Sequence, residues 1–285
     1  MPFVRDGLAA GEPVAVAVPG PKLALIRHAL GADARRVLLR DMTAAGRNPG
    51  RIIPTVLLAF ADTHPGQRVR LIGEPIWAGR TAVEYPACAQ HEALINAAFA
   101  GRPATILCPY NTELLDPVWI ADAYKTHPVM WHGDTRQDSA HYDDPVAVAA
   151  DFNQPLSAPP ADAATITVDF HTLPATRRFV AEHADRAGLA AERIADLTLA
   201  VNELAANAVE HGGGTGEIAI WVEPDALVCQ VTDRGYLSEP LAGRIPVPPD
   251  APTGGRGLLL VNYLCDLVRV HTTPAGTTTR VHLDR

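Results

Sequence analysis

The chain has 285 residues, 47% of them apolar and 20% charged, which suits two compact domains and excludes a chain disordered as a whole. Its formal net charge of -8 excludes a dominant basic footprint of the kind that binds nucleic acid directly. Residues 1–10 carry no apolar stretch of signal-peptide length, and no later segment offers a charge-free run that would span a membrane, so a cytoplasmic location is expected. Cys88, Cys108, Cys229 and Cys265 are scattered, without a Cys-x-x-Cys pair or metal-like spacing, and read as buried reduced thiols.

In the first half, apolar patterns alternate in period. Residues 14–18 are a valine-rich run that reads as a buried strand, 22–30 a short helix, 36–41 a strand and 52–61 a helix. Residues 68–73 follow as a strand, 84–100 as a long alanine-rich helix, 104–108 as a strand and 117–125 as a helix. Strands alternating with helices predict an α/β domain with a mainly parallel sheet covered on both faces. From 133 to 163 periodicity fades: Pro145, Pro155, Pro159 and Pro160 stand among Asp, Asn, Gln and Ser, and the stretch reads as an interdomain linker with one short helix. The second half has another order. Residues 165–170 alternate as a strand, 173–187 and 191–210 are helical patterns separated at Gly188, and Gly212, Gly213 and Gly214 terminate the second. Residues 217–222 and 226–232 predict a hairpin, 237–255 a Pro- and Gly-rich loop, 258–267 a helix and 277–283 a last strand. Helices grouped ahead of strands predict an α+β two-layer sandwich. The domains are therefore drawn at 1–132 and 164–285, with the linker between.

Three segments of the second half carry chemistry. Glu203 and Asn207, four apart on the 191–210 helix, present a carboxylate and an amide oxygen on one face, a pair that suits a hard cation and a reacting hydroxyl. Asp233, in Asp233-Arg234-Gly235 at the end of a hairpin strand, can accept a hydrogen bond from an exocyclic amine. Thr253-Gly254-Gly255-Arg256-Gly257 opens a helix, where backbone N–H groups favour phosphates. Each alone has an ordinary reading: an exposed polar face, a turn, a loop. Their order separates them from that background, because it is the order of the N, G1 and G2 boxes of GHKL ATPases.

The stretch Asn202-Glu203 to Asn207-Ala208-Val209 and His211, with Gly276-Thr277 before the last strand, resembles the anti-sigma-factor serine/threonine kinases of that Bergerat-fold group over residues 165–285. The resemblance implies ATP and Mg²⁺ as cofactors, with Asn207 ligating Mg²⁺ and Asp233 reading the adenine amine. It implies that Gly235 lets adenine approach, that Gly254, Gly255, Arg256 and Gly257 line the phosphates, and that Thr277 helps hold Asp233 or a water. Glu203 is implied as the catalytic base toward an acceptor hydroxyl. The implied partners are a sigma factor and an anti-anti-sigma (STAS) protein, in transcription regulation of stress-response type, and the ATPase domains are implied to pair as a homodimer. The chain departs from the pattern at Leu237, where the G1 box usually has its second glycine. Its lid is short and carries Pro240, Pro246, Pro248, Pro249 and Pro252, with Arg244 and Arg256 as the nearby cations. These departures favour an alternative: a nucleotide-dependent protein-binding module without kinase turnover. A third reading, a histidine kinase, would need a phosphoacceptor histidine, and His183 lies inside the ATPase region on a surface helix.

The run from Glu92 to Phe99, then 104–110 with Cys108 and Tyr110, then Thr126-His127-Pro128, resembles MEDS-type sensory domains over residues 4–129. That resemblance implies a RecA-like fold and a small-molecule ligand, often hydrocarbon-derived. Val18-Pro19-Gly20-Pro21-Lys22 lacks P-loop spacing, so no second ATP site is expected. Glu92, Cys108, Tyr110 and His127 stand near strand ends, where open α/β sheets take ligands. Taken singly, Cys108 also reads as a core thiol and His127-Pro128 as a helix end.

Overall fold

The computed structural model describes residues 1–247 and 255–285. The chain divides into two compact units, Met1–Phe152 and Asn153–Arg285.

In chain order the first unit has α1 (Pro2–Ala9), β1 (Val14–Val18), α2 (Gly20–Leu30), β2 (Val37–Asp41), α3 (Met42–Ala45), α4 (Ala59–Asp62), β3 (Val69–Gly73), α5 (Tyr85–Ala98), β4 (Ala104–Leu107), α6 (Pro117–Thr126), a hairpin of β5 (Val129–His132) and β6 (Thr135–Asp138), and α7 (Pro145–Asp151). Four strands form a parallel sheet in the order β2-β1-β3-β4. Every residue of the central strand β1 is buried, as its unbroken Val/Ala run requires of a strand covered on both faces. Against one face pack Val4 and Leu8 of α1 and Leu23 and Leu30 of α2. Helix α1 has no counterpart in the sequence reading; Pro2 occupies its first turn, where a missing N–H costs nothing.

The segment read as one helix over 52–61 is a π-helical turn, Ile53–Leu58, that runs into the short α4. Residues 133–152, within the stretch read as a linker, carry β6 and α7. The carboxylate of Asp144 caps α7 by accepting the N–H groups of Val146 and Ala147 at 3.0 and 2.9 Å, and α7 packs on α5.

The second unit has β7 (Ala164–Asp169), α8 (Leu173–Arg186), α9 (Ala191–Glu210), β8 (Thr215–Val222), β9 (Ala226–Asp233), α10 (Arg256–Leu264), β10 (Leu267–Thr273) and β11 (Gly276–Asp284). Its sheet runs β10-β11-β9-β8-β7, each neighbouring pair antiparallel. Val180 of α8, Leu197, Val201 and Leu204 of α9 and Val261 of α10 close on Ile218, Cys229, Val231 and Val281 in a single core. On a second, smaller cluster Ala163 packs against Ala219, Trp221 and Val228. The Arg280 guanidinium lies 5.0 Å over the Trp221 ring and donates to Gln230 Oε1 and to the carbonyl of Ser157.

The last helix also corrects the sequence reading. The helix expected over 258–267 ends at Leu264, and Leu267 already opens strand β10. The Arg193 guanidinium caps the helix by donating to the Leu264 carbonyl at 3.0 Å, and the Asp266 N–H donates to the His282 carbonyl at 3.0 Å, starting the ladder. No helix among the described residues is long and apolar enough to cross a membrane.

Candidate functional site

A cavity of about 190 Å³ lies in the second unit, where the carboxy-terminal half of α9, the end of β9, the start of α10 and the start of β11 meet. Its lining includes Leu204, Asn207, His211, Asp233, Gly235, Leu237, Gly255, Gly257 and Thr277.

Asp233 ends β9, in register with Gly216 of β8 and Thr277 of β11. Its Oδ1 accepts the Gly235 N–H at 2.7 Å, leaving the second carboxylate oxygen for another donor. Burial raises its pKa, and the Gly235 hydrogen bond works against that rise. The turn after Asp233 is held against the end of α9: the Arg234 N–H donates to the Gly212 carbonyl at 3.1 Å. A side chain at 235 has no place, because a Cβ there would lie 2.7 Å from the His211 carbonyl oxygen and 3.1 Å from Gly212 Cα.

Thr277 fixes the opposite wall. Its hydroxyl donates to the Gly235 carbonyl at 2.8 Å and lies 2.7 Å from the Thr272 hydroxyl, which accepts the Leu237 N–H at 2.9 Å. Thr272 was missed from sequence, because residues 268–276, which hold all of β10 but Leu267, carry no element in the sequence reading. The pattern could have exposed it: Val268-Arg269-Val270-His271-Thr272 alternates with period 2. Leu237, which stands where a glycine is usual, is part of the cavity wall.

Helix α10 supplies the remaining side. Gly255 caps its amino terminus with φ 80, a left-handed conformation that glycine adopts without strain. Gly257, in the first turn, faces α9 so closely that a Cβ would meet Glu203 Oε2 at 2.9 Å and Asn207 Nδ2 at 3.6 Å. Glu203 therefore packs against the first turn of α10 and is not among the cavity-lining residues, whereas Asn207, one turn on, is. Arg256 is exposed at the start of α10, and Arg244 is partly buried in the preceding loop. That loop is tied to the helix where Asn262 Nδ2 donates to the Gly243 carbonyl at 3.0 Å. Gly254 lies outside the described residues, as do Pro248, Pro249 and Pro252 of the proline-rich loop.

The structure thus brings Asn207, Asp233, Gly235, Gly255, Gly257 and Thr277 to one cavity, with Glu203 beside it. Backbone N–H groups at a helix start, a polar carboxylate on a buried floor and an amide oxygen from a facing helix are a donor set that fits a nucleotide with its cation.

Two family models match parts of the chain. Residues 166–283 match the histidine kinase-like ATPase domain family, and residues 1–128 match the MEDS family, the methanogen/methylotroph DcmR sensory domain. A serine-protein kinase RsbW of Halalkalibacterium halodurans is 32% identical over 99 residues, covering 30% of this chain. The aligned region spans 60% of that relative's length. Among solved structures, the RsbU and RsbW domains of Rv1364c from Mycobacterium tuberculosis align with TM-score 0.33 and 24% identity, covering 44% of this chain and 34% of that one. The Acinetobacter baumannii histidine kinase AdeS aligns with TM-score 0.26 and 13% identity, covering 71% and 96%. The chain carries a MEDS domain over residues 1–128 and a histidine kinase-like ATPase domain over residues 166–283.

Proposed function

We propose that the second domain binds Mg-ATP and phosphorylates a Ser or Thr of an anti-anti-sigma (STAS) partner, so controlling release of a sigma factor. The observation that carries this reading is the convergence of Asn207, Asp233, Gly235, Gly255, Gly257 and Thr277 on one cavity. The ATPase-family match supports the nucleotide, and the likeness to a serine-protein kinase supports the acceptor class.

In this reading the free oxygen of Asp233 accepts from the adenine amine, and Gly235 leaves room for the ring. The Asn207 side-chain oxygen ligates Mg²⁺, whose shell is completed by water and phosphate oxygens. The start of α10, with Gly255, Arg256 and Gly257, receives the phosphates, and Gly254 is given the same role from the sequence. ATP supplies the transferable phosphoryl group. Glu203 orients the acceptor hydroxyl or takes its proton, a role its place beside Asn207 and Gly257 suits. Pairing of two ATPase domains, a small-molecule ligand of the MEDS domain and its RecA likeness belong to the same proposal; the parallel sheet of the first unit supports the last of these.

A second reading, a nucleotide-dependent binding module without turnover, is favoured by one observation: Leu237 occupies the cavity wall. Calorimetry of ATP binding with and without Mg²⁺, on wild type and Asn207→Ala, tests the site. Mg-dependent binding that weakens at least tenfold in Asn207→Ala is expected; absence of binding to wild type sinks both readings. Phosphotransfer to a STAS protein, lost in Glu203→Gln while ATP affinity holds, separates kinase from binding module.

A further inference from the structure

The first unit holds a constellation that nucleotide chemistry does not use. Glu92 lies on the buried side of α5 with 2% of its surface exposed. Cys108 follows β4 directly, at the carboxy-terminal edge of the parallel sheet, and His127 caps the end of α6. One donor atom from each, a carboxylate oxygen, a thiol sulfur and an imidazole nitrogen, lies within 4.8 Å of the other two.

The orientation of His127 matters most. Its Nδ1 lies 2.9 Å from the Ala123 carbonyl oxygen, which can only accept, and 2.8 Å from the Thr126 hydroxyl, which can accept as well, so a proton on Nδ1 satisfies both contacts. Its Nε2 is thereby turned toward Glu92, 3.0 Å from Oε2. Tyr110 meets the imidazole edge-on at a centroid distance of 5.6 Å and restrains its rotation. A backbone carbonyl that fixes the far nitrogen of a histidine is the outer-shell arrangement of metal-binding imidazoles.

Glu92 supplies the second, independent observation. Both of its carboxylate oxygens are fully enclosed without a partner of full hydrogen-bond geometry among the described residues, and the groups that face them are His127 Nε2, 3.0 Å from Oε2, and the Cys108 thiol. A protonated His127 and the Cys108 thiol hold this carboxylate in the metal-free fold, and both would become ligands on losing those protons. Burying a carboxylate is costly, and a cation among the three donors would offset that cost. A tetrahedral zinc ion, with bonds of about 2.0–2.3 Å, sets its donors roughly 3.3–3.8 Å apart. The triangle closes on such an ion by shifts of about an ångström.

We propose that Glu92, Cys108 and His127 form a three-donor site for a zinc-class divalent cation, with the fourth position left to water or a small exogenous ligand. The mixed O, S, N donor set selects a borderline-soft ion over Mg²⁺ or Ca²⁺. Binding displaces the thiol proton of Cys108 and any proton on His127 Nε2 to solvent, and the metal takes up the freed lone pairs. Cys108 is the suitable thiol: Cys88, Cys229 and Cys265 are buried, and Cys108 is not fully so.

The test uses the full chain, freed of metal with a chelator and titrated with Co²⁺. One equivalent is expected to give the visible bands of tetrahedral cobalt together with a thiolate-to-cobalt charge-transfer band. Cys108→Ser should remove the charge-transfer band, Cys229→Ala should keep it, and His127→Ala should weaken binding about 10–100-fold. A Mg²⁺ site in the second unit contributes no thiolate band, so this outcome is independent of the kinase reading. Because a variant can fail by misfolding, Zn²⁺ protection of wild-type Cys108 is measured as well, by iodoacetamide labelling and peptide mass. At least a tenfold slowing at Cys108 is expected. No charge-transfer band in wild type, its persistence in Cys108→Ser, or unchanged labelling with Zn²⁺ overturns the proposal.

Discussion

Gly235 and Gly257 both border the same cavity, yet a methyl group would meet different things at each. At 235 it meets backbone, the His211 carbonyl oxygen at 2.7 Å and Gly212 Cα at 3.1 Å, and backbone at a turn held by hydrogen bonds has little room to yield. Gly235→Ala is expected to cost roughly 1–3 kcal/mol of stability and to weaken ATP binding, read from the urea midpoint and from calorimetry. At 257 the methyl group meets the tip of a flexible side chain, Glu203 Oε2 at 2.9 Å, and Ala gains up to about 1 kcal/mol over Gly in helix propensity. Gly257→Ala should leave the midpoint unchanged or raised while lowering phosphotransfer more than ATP affinity, because the methyl group is directed at the Glu203 carboxylate. Equal losses at both positions would show that Glu203 has no separate role. His282 of β11 gives a prediction of another kind. Burial, with a smaller opposing influence from Glu223, pushes its pKa down to about 4, and its Nε2 has no hydrogen-bond partner among the described residues. A group whose folded pKa is depressed from 6.5 to about 4 is neutral in the fold and protonates in the unfolded chain first. The stability it permits is therefore full above about pH 6.5 and falls as pH drops toward 4. Between pH 7 and 5 the loss from this residue is about 2 kcal/mol, and His282→Leu should flatten the urea midpoint of the second unit over that range.

Elements of the site differed in legibility for physical reasons. Helix α9 and the β8–β9 hairpin were readable because each buries one face of a long, regular pattern, with Gly212 after the helix and Pro224 in the turn as stops. Asn207 and Asp233 were found through those elements. The boundary after α10 was not readable, because the apolar run 258–268 fits a helix and a buried strand equally well. What breaks it lies far off in the chain: Arg193, at the start of α9, donates to the Leu264 carbonyl and pairs with Asp266 and Asp196. Residues 268–276 beyond that boundary carry no element in the sequence reading, and Thr272 goes unseen with them. The same contact makes Arg193 a clamp on the far end of the helix whose first turn carries Gly255 and Gly257. Arg193→Ala should lower the stability of the second unit by roughly 1–3 kcal/mol and weaken ATP binding by tilting that turn. Arg193→Lys, with one charge and no fork, should recover only part of both. An Arg193→Ala protein with wild-type ATP affinity would show that the sheet alone positions α10.

Across the whole chain, the two units present chemically orthogonal sites: hard oxygen donors and helix-start N–H groups in one, a Glu–Cys–His triangle in the other. On the two proposals Mg-ATP and Zn²⁺ report on separate units, and hydrogen exchange can ask whether the units share free energy. A ligand held at 100 times its dissociation constant stabilises the unit that binds it by about 2.7 kcal/mol. Mg-ATP is expected to slow exchange in peptides from α9, β9 and α10, and Zn²⁺ in peptides from α5, β4 and α6, each by up to about a hundredfold where exchange needs opening of that unit. Coupling is then the further change that one ligand produces in the other's unit. If the first domain regulates the second, that change is reciprocal: whatever factor Zn²⁺ imposes on ATP affinity, ATP imposes on Zn²⁺ affinity. Calorimetric titration of each ligand with the other saturating measures both factors. Equal factors different from one would establish that the MEDS domain tunes the ATPase domain through a shared equilibrium. Factors of one in both directions would make them independent binding units, and regulation would then have to arise from a partner that contacts both.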